Sequence, residues 1–431
     1  MAKESTHCSF CGIEASASIP MIAGTDGFIC EACVLLASQV VSSWGRKKEL
    51  NEMQEPLPKP AAIKALLDQY VIGQNLAKEI LSVAVYNHYK RLKHESTKTA
   101  SLGHADSEVE IGKSNILLIG PSGTGKTLLA STLAKIVGVP FAVADATTLT
   151  QAGYVGDDVE NILVRLLDVA DGQVGKAEWG IVYIDEVDKI ARSPEQAFGA
   201  RDVSGEGVQQ ALLRLVEGSQ VKVPAKGRRK DPGGGDSILI DTRNILFIAG
   251  GAFPGLEKHV EKRLLPPKTS IGFHAEVNDP KAKPSLEAML NATQPDDLKR
   301  FGLIPEFIGR FPILAPLEPL DVDALIQVLT EPKNALVKQY RQLFAFDQVE
   351  LEFTQDALVE IAEKAVARNT GARGLRSIME QVLRRTMFDL PSLENVERCI
   401  VDADVIRGEG EVQVVEREDP EAAVLQRSSL G

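Results

Sequence analysis

"NILLIGPSGTGKTLLASTLAKIV", residues 115–137, decides the fold. A short apolar run of strand length gives way to a glycine-rich octet, GPSGTGKT (Gly120–Thr127), and then to a helical pattern. Strand, glycine loop and helix in that order are the setting of a Walker A loop. The glycines let backbone N–H groups turn inward around phosphate oxygens. The Lys126 ammonium reaches the β- and γ-phosphates, and the Thr127 hydroxyl ligates magnesium. The nucleotide-contacting residues are therefore expected to be Gly120, Pro121, Ser122, Gly123, Thr124, Gly125, Lys126, Thr127 and Leu128.

"GIVYIDEVDK", residues 180–189, supplies the second half of such a site. Asp185 and Glu186 end an apolar strand at its C-terminal edge, where open α/β sheets bind ligands. Two adjacent carboxylates there are costly unless a cation meets them, and magnesium bound to ATP is that cation. Asp185 is expected to hold the metal's coordination shell, and Glu186 to orient and deprotonate the attacking water. No guanine-reading NKxD element occurs in the chain. Two arginines lie far along the chain, Arg310 in "FGLIPEFIGRF" and Arg373 in "GARGLR". Their placement suits groups that close on ATP from elsewhere, Arg310 across a subunit boundary and Arg373 from the chain's own lid.

Working outward, "NILLIG", "GIVYIDE" and "NILFIAG" alternate with helical patterns, which implies a mostly parallel sheet covered on both faces. The fold class is α/β: a P-loop NTPase large domain at 63–317 and a smaller α-rich lid at 318–410. A polar, proline-bearing linker at 51–62 precedes the large domain, and an acidic flexible tail at 411–431 follows the lid. Residues 1–50 form a separate module, because four of the five cysteines fall within the first 33 residues. Cys8, Cys11, Cys30 and Cys33 read C-x2-C-x18-C-x2-C. Two such knuckles complete a tetrahedral four-sulfur site for one structural zinc, and metal binding supplies most of the folding energy of so short a segment. Cys399 reads as a buried or half-buried thiol of the small domain.

The net charge of -12 disfavours a general nucleic-acid binder, whose phosphate contacts need a concentrated basic surface. No apolar stretch has signal-peptide or membrane-spanning character, so the expected location is the cytoplasm, with no membrane partner. No HExxH and no serine or cysteine nucleophile constellation is present, so no peptidase activity of its own is expected.

Five long stretches carry a closer resemblance: "YVIGQNLAKEILSVAVYNHYKRL", "ADATTLTQAGYVGDDVENIL", "RDVSGEGVQQALLRLVEG", "FGLIPEFIGR" and "TGARGLRSI". Over nearly its full length the chain resembles the ClpX family of hexameric AAA+ unfoldases. The resemblance implies a homohexamer that uses ATP, Mg2+ and Zn2+, feeds a ClpP-type peptidase, and receives adaptors and tagged or unfolded proteins. It implies that Val71, Ile72, Gly73 and Gln74 line the adenine, that Arg310 is an arginine finger and that Arg373 is a sensor-2 arginine. It also implies that Tyr154 and Val155, flanked by glycines, form a pore loop. An aromatic and a branched aliphatic grip any polypeptide by apolar contact, which suits a track whose composition changes at every step. Arg228, Arg229 and Lys230 form a candidate basic collar at the pore entry, in "RRKD" where the family has RKH. Ile271, Gly272 and Phe273 match the family's peptidase-docking tripeptide, with His274 where the family often has glycine. The alternative reading is a nucleotide-gated, zinc-containing chaperone or scaffold that holds clients without threading them.

Overall fold

The computed structural model describes residues 7–16, 19–37, 57–100, 109, 111–150, 157–192, 205–224, 237–265, 284–393 and 395–417. Its centre is a five-stranded sheet of β1 (Ile116–Ile119), β2 (Phe141–Asp145), β3 (Ile181–Asp185), β4 (Leu246–Gly251) and β5 (Ile313–Pro316). The spatial order is β5-β1-β4-β3-β2, and every neighbouring pair is parallel.

Strand periodicity explains the two-sided core. Ile116, Leu118, Ile181, Tyr183, Leu246 and Ile248 face one side, packed with α1 (Pro60–Asp68), α2 (Asn75–Ala100) and α3 (Lys126–Val137). Leu117, Ile119, Val182, Ile184, Phe247 and Ala249 face the other, packed with α4 (Asn161–Val169), α5 (Glu206–Glu217) and α6 (Pro305–Arg310). Strands covered on both faces read as unbroken apolar runs, as these do. α1 starts at Pro60, inside the stretch expected to be linker, because Ile63 and Leu67 join the core.

The smaller domain combines α7 (Val322–Thr330), α8 (Leu336–Phe346), α9 (Gln355–Ala367) and α10 (Ala372–Asp389) with a second sheet. In that sheet β6 (Glu350–Phe353) runs parallel to β7 (Val396–Val401), and β8 (Gln413–Glu416) lies antiparallel on the other side of β7. Asp321 and Thr354 cap α7 and α9 by accepting the backbone N–H of Ala324 and Ala357. Cys399 is fully buried in this core, and burial pushes its thiol up. β8 falls within the stretch expected to be a flexible tail. All its residues are exposed, so no apolar alternation announces it; ladder bonding to β7 and the donation of Gln413 Nε2 to Asp402 Oδ2 at 3.1 Å hold it.

Backbone contacts join the two domains. Lys333 N–H donates to Gln69 O at 2.9 Å, and Ala372 N–H donates to Gly123 O at 3.2 Å; Leu317, the last residue of the large domain, extends the β5–β1 ladder by donating to Ile119 O at 2.7 Å. Gln74 holds the connecting segment by a reciprocal pair, donating to Glu318 O and accepting from Glu318 N–H, both at 2.8 Å. No helix among the described residues is long and apolar enough to cross a membrane.

At the opposite end of the sheet, buried Asn115 is a brace. Its Nδ2 donates to Arg310 O at 2.8 Å, and its Oδ1 accepts from Phe247 N–H at 3.2 Å. Asn115→Ala strips both partners and is expected to destabilise the chain by roughly 2 kcal/mol. A lowered urea midpoint at fixed protein concentration is the check.

Candidate functional site

The P-loop is built where β1 ends. Gly123 and Gly125 have φ of +79° and +94°, a left-handed backbone that side chains resist. Gly120 has a different reason to be glycine: a Cβ there would lie 2.6 Å from Leu317 O. A Cβ on Gly123 would lie 2.5 Å from Thr370 O, because the start of α10 rests on the loop. Ala372 N–H donates to Gly123 O at 3.2 Å. α3 then carries Leu129, Ala130, Leu133 and Ala134 into the core and ends on left-handed Gly138. Its first turn directs N–H groups and the positive end of the helix dipole into the loop.

Side chains converge there from three parts of the sequence. Thr127 Oγ1 donates to Asp185 Oδ2 at 3.1 Å, and Tyr183 Oη donates to Asp185 Oδ1, also at 3.1 Å. From the small domain, Arg373 places Nη2 3.9 Å from Asp185 Oδ2 and Nη1 3.4 Å from Ser122 Oγ. Lys126 is buried and donates to Gly120 O at 2.6 Å and Pro121 O at 2.8 Å. Burial pushes its ammonium down to about 8; Asp185 opposes that shift and Arg373 adds to it. Glu186 sits at φ +58°, a conformation that costs a non-glycine residue roughly 1–2 kcal/mol. Asp185 ends the strand, and Glu186, whose N–H donates to Asp185 Oδ1 at 3.0 Å, precedes the 3-10 turn (Val187–Ile190). An acceptor beside a hydroxyl, a buried ammonium, inward N–H groups and an arginine are the donor set a magnesium nucleotide requires.

Arg310 lies elsewhere. Its carbonyl is bonded to Asn115, which precedes β1, whereas the P-loop follows β1. Crossing the intervening residues takes ~16 Å at the rise of a strand, more than an arginine side chain reaches. The guanidinium is half-exposed and tied to Glu217 Oε1 on α5 at 2.8 and 3.0 Å. Val71 and Gln74 are buried, and Gln74 and Gly73 both have positive φ. They stand where the interdomain segment passes, through the Gln74–Glu318 pair.

The cysteines form a second, separate site. Residues Met21–Ala23 and Phe28–Cys30 make a hairpin, with helical residues 31–37 after it. Ligand atoms of Cys8, Cys11, Cys30 and Cys33 lie within 4.8 Å of one another, and Cys11 and Cys30 Sγ are 3.6 Å apart. Tetrahedral zinc at its usual Zn–S length needs S···S of ~3.8 Å. For Cys8, burial raises the thiol, but N–H groups of Cys11, Cys30 and Phe10 outweigh it and bring it down to about 6. Cys33 is pushed up to about 12, first by its hydrogen bond with Cys11 and then by burial. Four crowded sulfurs shed their protons together only when a cation shares the charge, so the donor set fits zinc.

Sequence reasoning placed Lys126, Thr127, Asp185, Glu186 and Arg373 in one neighbourhood; the structure gathers Thr127 and Arg373 at Asp185 with Lys126 in the same loop, and Glu186 joins them through its backbone N–H, which donates to Asp185 Oδ1 at 3.0 Å. It missed Tyr183, whose signal is its position two residues before Asp185 on the same strand face. It also missed Glu217, for which the sequence holds no signal. Tyr154, Val155, Arg228, Arg229, Lys230, Ile271, Gly272 and Phe273 lie outside the described residues.

Fold and site together define an AAA-type P-loop nucleotide-binding protein with an appended four-cysteine zinc finger. Residues 112–314 match the AAA domain (Cdc48 subfamily), 320–401 the C-terminal D2-small domain of ClpB protein, and 6–43 the ClpX C4-type zinc finger. Over 414 residues the chain is 67% identical to the ATP-dependent Clp protease ATP-binding subunit ClpX 3 of Methylococcus capsulatus, covering 96% of this chain and 95% of that one. Over 396 residues it is 57% identical to the ATP-dependent Clp protease ATP-binding subunit ClpX of Azotobacter vinelandii, covering 92% and 88%. The chain belongs to the ClpX family.

Two outcomes follow from this geometry. Zinc released by a thiol-reactive mercurial and read with a metallochromic dye is expected at one ion per chain, falling to none in Cys11→Ser. Lys126 gives up its proton near pH 8, while a bound polyphosphate favours the charged form. Affinity for a non-hydrolysable ATP analogue should therefore fall as pH rises through 8. Proton uptake on binding should appear above it, read by calorimetry in buffers of different ionisation enthalpy.

Proposed function

We propose that this chain is an ATP-driven protein unfoldase and polypeptide translocase, the specificity subunit that delivers substrates to a ClpP-type peptidase. The convergence of Lys126, Thr127, Asp185 and Arg373 on one loop, in a chain of the ClpX family, carries this reading. Gly120–Leu128 cradle the phosphates, with Thr127 and Asp185 toward magnesium and Val71–Gln74 toward the adenine. Magnesium, when bound, supplies Lewis-acid charge at the transferring phosphoryl group. Glu186 orients water and accepts its proton, while Lys126 and Arg373 neutralise phosphate charge from within the same chain.

Arg310 completes the site of a neighbouring subunit. Its position at the far end of β1 from its own P-loop supports action across a subunit boundary. Glu217 holds it ready until a neighbour's phosphate competes for it. A homohexamer is the assembly in which every site receives such an arginine. Tyr154 and Val155 grip the polypeptide in the axial channel, and Arg228, Arg229 and Lys230 collect acidic or carboxylate-ended tags. Ile271, Gly272 and Phe273 plug into the peptidase. The zinc module at residues 1–50, beyond the linker, receives adaptors and substrates, and the chain works in the cytoplasm.

Glu186→Gln is expected to bind ATP with near-normal affinity while steady-state turnover falls at least 100-fold, the loss typical of a missing general base. ATP hydrolysis by the unaltered chain should rise with an unfolded client. Turnover of the variant near the unaltered rate overturns the assignment of the base. Hydrolysis indifferent to clients, with no unfolding of a tagged folded protein, favours a scaffold instead.

A further inference from the structure

We infer that Tyr183 is a positioning residue for the metal, which rests on the magnesium-nucleotide reading proposed above. Its hydroxyl occupies one oxygen of Asp185, so the carboxylate presents the other alone. Magnesium is thereby favoured over the larger calcium ion.

The two oxygens of Asp185 meet different neighbours. Oδ1 accepts from the Tyr183 hydroxyl at 3.1 Å and from the Glu186 N–H at 3.0 Å. A carboxylate oxygen has room for about two donors, so Oδ1 is filled by the strand that carries it and the residue that follows. Oδ2 accepts from Thr127 Oγ1 at 3.1 Å and lies 3.9 Å from Arg373 Nη2, too far for a second hydrogen bond. Thr127 is also the hydroxyl that suits magnesium. The oxygen with a lone pair to spare therefore stands beside the metal's other protein ligand.

The fold fixes this phenol tightly. Tyr183 is fully buried and shares its strand face with Asp185, two residues on. On the adjacent strand β4, a Cβ at Gly250 would lie 2.2 Å from Tyr183 Oη and 2.9 Å from Cζ. Gly250 is not among the positive-φ glycines, so it is the close approach of the phenol that requires glycine there. Phenylalanine fills nearly the same core volume. What the hydroxyl adds is its bond to Oδ1.

Metal choice follows from that bond. Magnesium demands near-ideal octahedral geometry, whereas calcium takes about six to eight oxygens and accepts both oxygens of one carboxylate. Held at Oδ1, Asp185 offers a single oxygen, which suits magnesium. Freed at Oδ1, it can turn both oxygens to one ion, which suits calcium. Partners of a ligating side chain commonly govern about 10- to 100-fold in metal affinity.

The test is the affinity of the full chain for a fluorescent non-hydrolysable ATP analogue in saturating Mg2+, in saturating Ca2+ and in EDTA. The unaltered chain is expected to bind most tightly in Mg2+ and most weakly in EDTA. Tyr183→Phe should keep the EDTA affinity within about twofold, since the P-loop is untouched, and lose about tenfold in Mg2+. Its loss in Ca2+ should be smaller, so the preference between the two metals shrinks. Gly250→Ala, which keeps the hydroxyl but crowds it off Oδ1, should show the same split. A packing defect lowers all three affinities together, whereas a positioning role spares the metal-free one. Equal losses in all three media for both variants, or an unchanged preference for Mg2+ over Ca2+, overturn the role of Tyr183. Binding by the unaltered chain that ignores metal overturns the magnesium site itself.

Discussion

The backbone seam between Gly123 and the start of α10 is the constraint on which the catalytic half of the molecule depends. Thr370, Gly371 and Ala372 press against the P-loop so closely that no side chain fits at Gly123. The same approach delivers Arg373 to Asp185 and Ser122. A nucleotide that alters the path of the loop must therefore move the small domain. No flexible side chain lies between them to absorb the change, and packed backbone transmits displacement. Leu317, where the large domain ends, lies as closely against Gly120 of the same loop, so the loop touches the start of the connection between domains as well as the small domain.

Electrostatics at the site is arranged around that seam. Lys126 is buried enough to lose much of its hold on a proton, and a polyphosphate restores it. Asp185 meets Thr127, Tyr183 and Arg373 at once, so its oxygens are oriented before any metal arrives. Glu186, one residue on, stands in a strained left-handed backbone turn, its N–H donating to Asp185 Oδ1 at 3.0 Å. Strain of this kind persists where the surroundings over-determine the backbone, and here the parallel sheet and the 3-10 turn fix both sides.

The legible part of this chain is the part whose chemistry is local. The P-loop announces itself because glycine spacing, a lysine and a hydroxyl must be contiguous to cradle phosphate. The zinc knuckles do so because thiolates in pairs need a fixed short spacing. Strands β1, β3 and β4 are visible as apolar runs, since a sheet covered on both faces tolerates nothing else. What escaped notice is non-local or unforced. Glu217 meets Arg310 across 93 residues, and Gln74 meets Glu318 across 244. Nothing in either neighbourhood marks the partner. β8 escaped because an exposed edge strand needs no apolar alternation. The strand order is set by helices packing on both faces, and no single segment encodes it.

Dividing the arginines between two ends of β1 has a consequence for the proposed ring. Arg373 is placed by contacts within the chain, so in the proposed ring one subunit would hold a nucleotide with its own residues. Arg310 cannot return to its own P-loop without unfolding the brace at Asn115, because its backbone is fixed there and not merely its side chain. Binding is then a property of one chain and fast turnover a property of two. In such a ring the Glu217 carboxylate and the neighbour's phosphate compete for one guanidinium. The arginine's transfer between them couples adjacent sites with no contact beyond those the fold already makes.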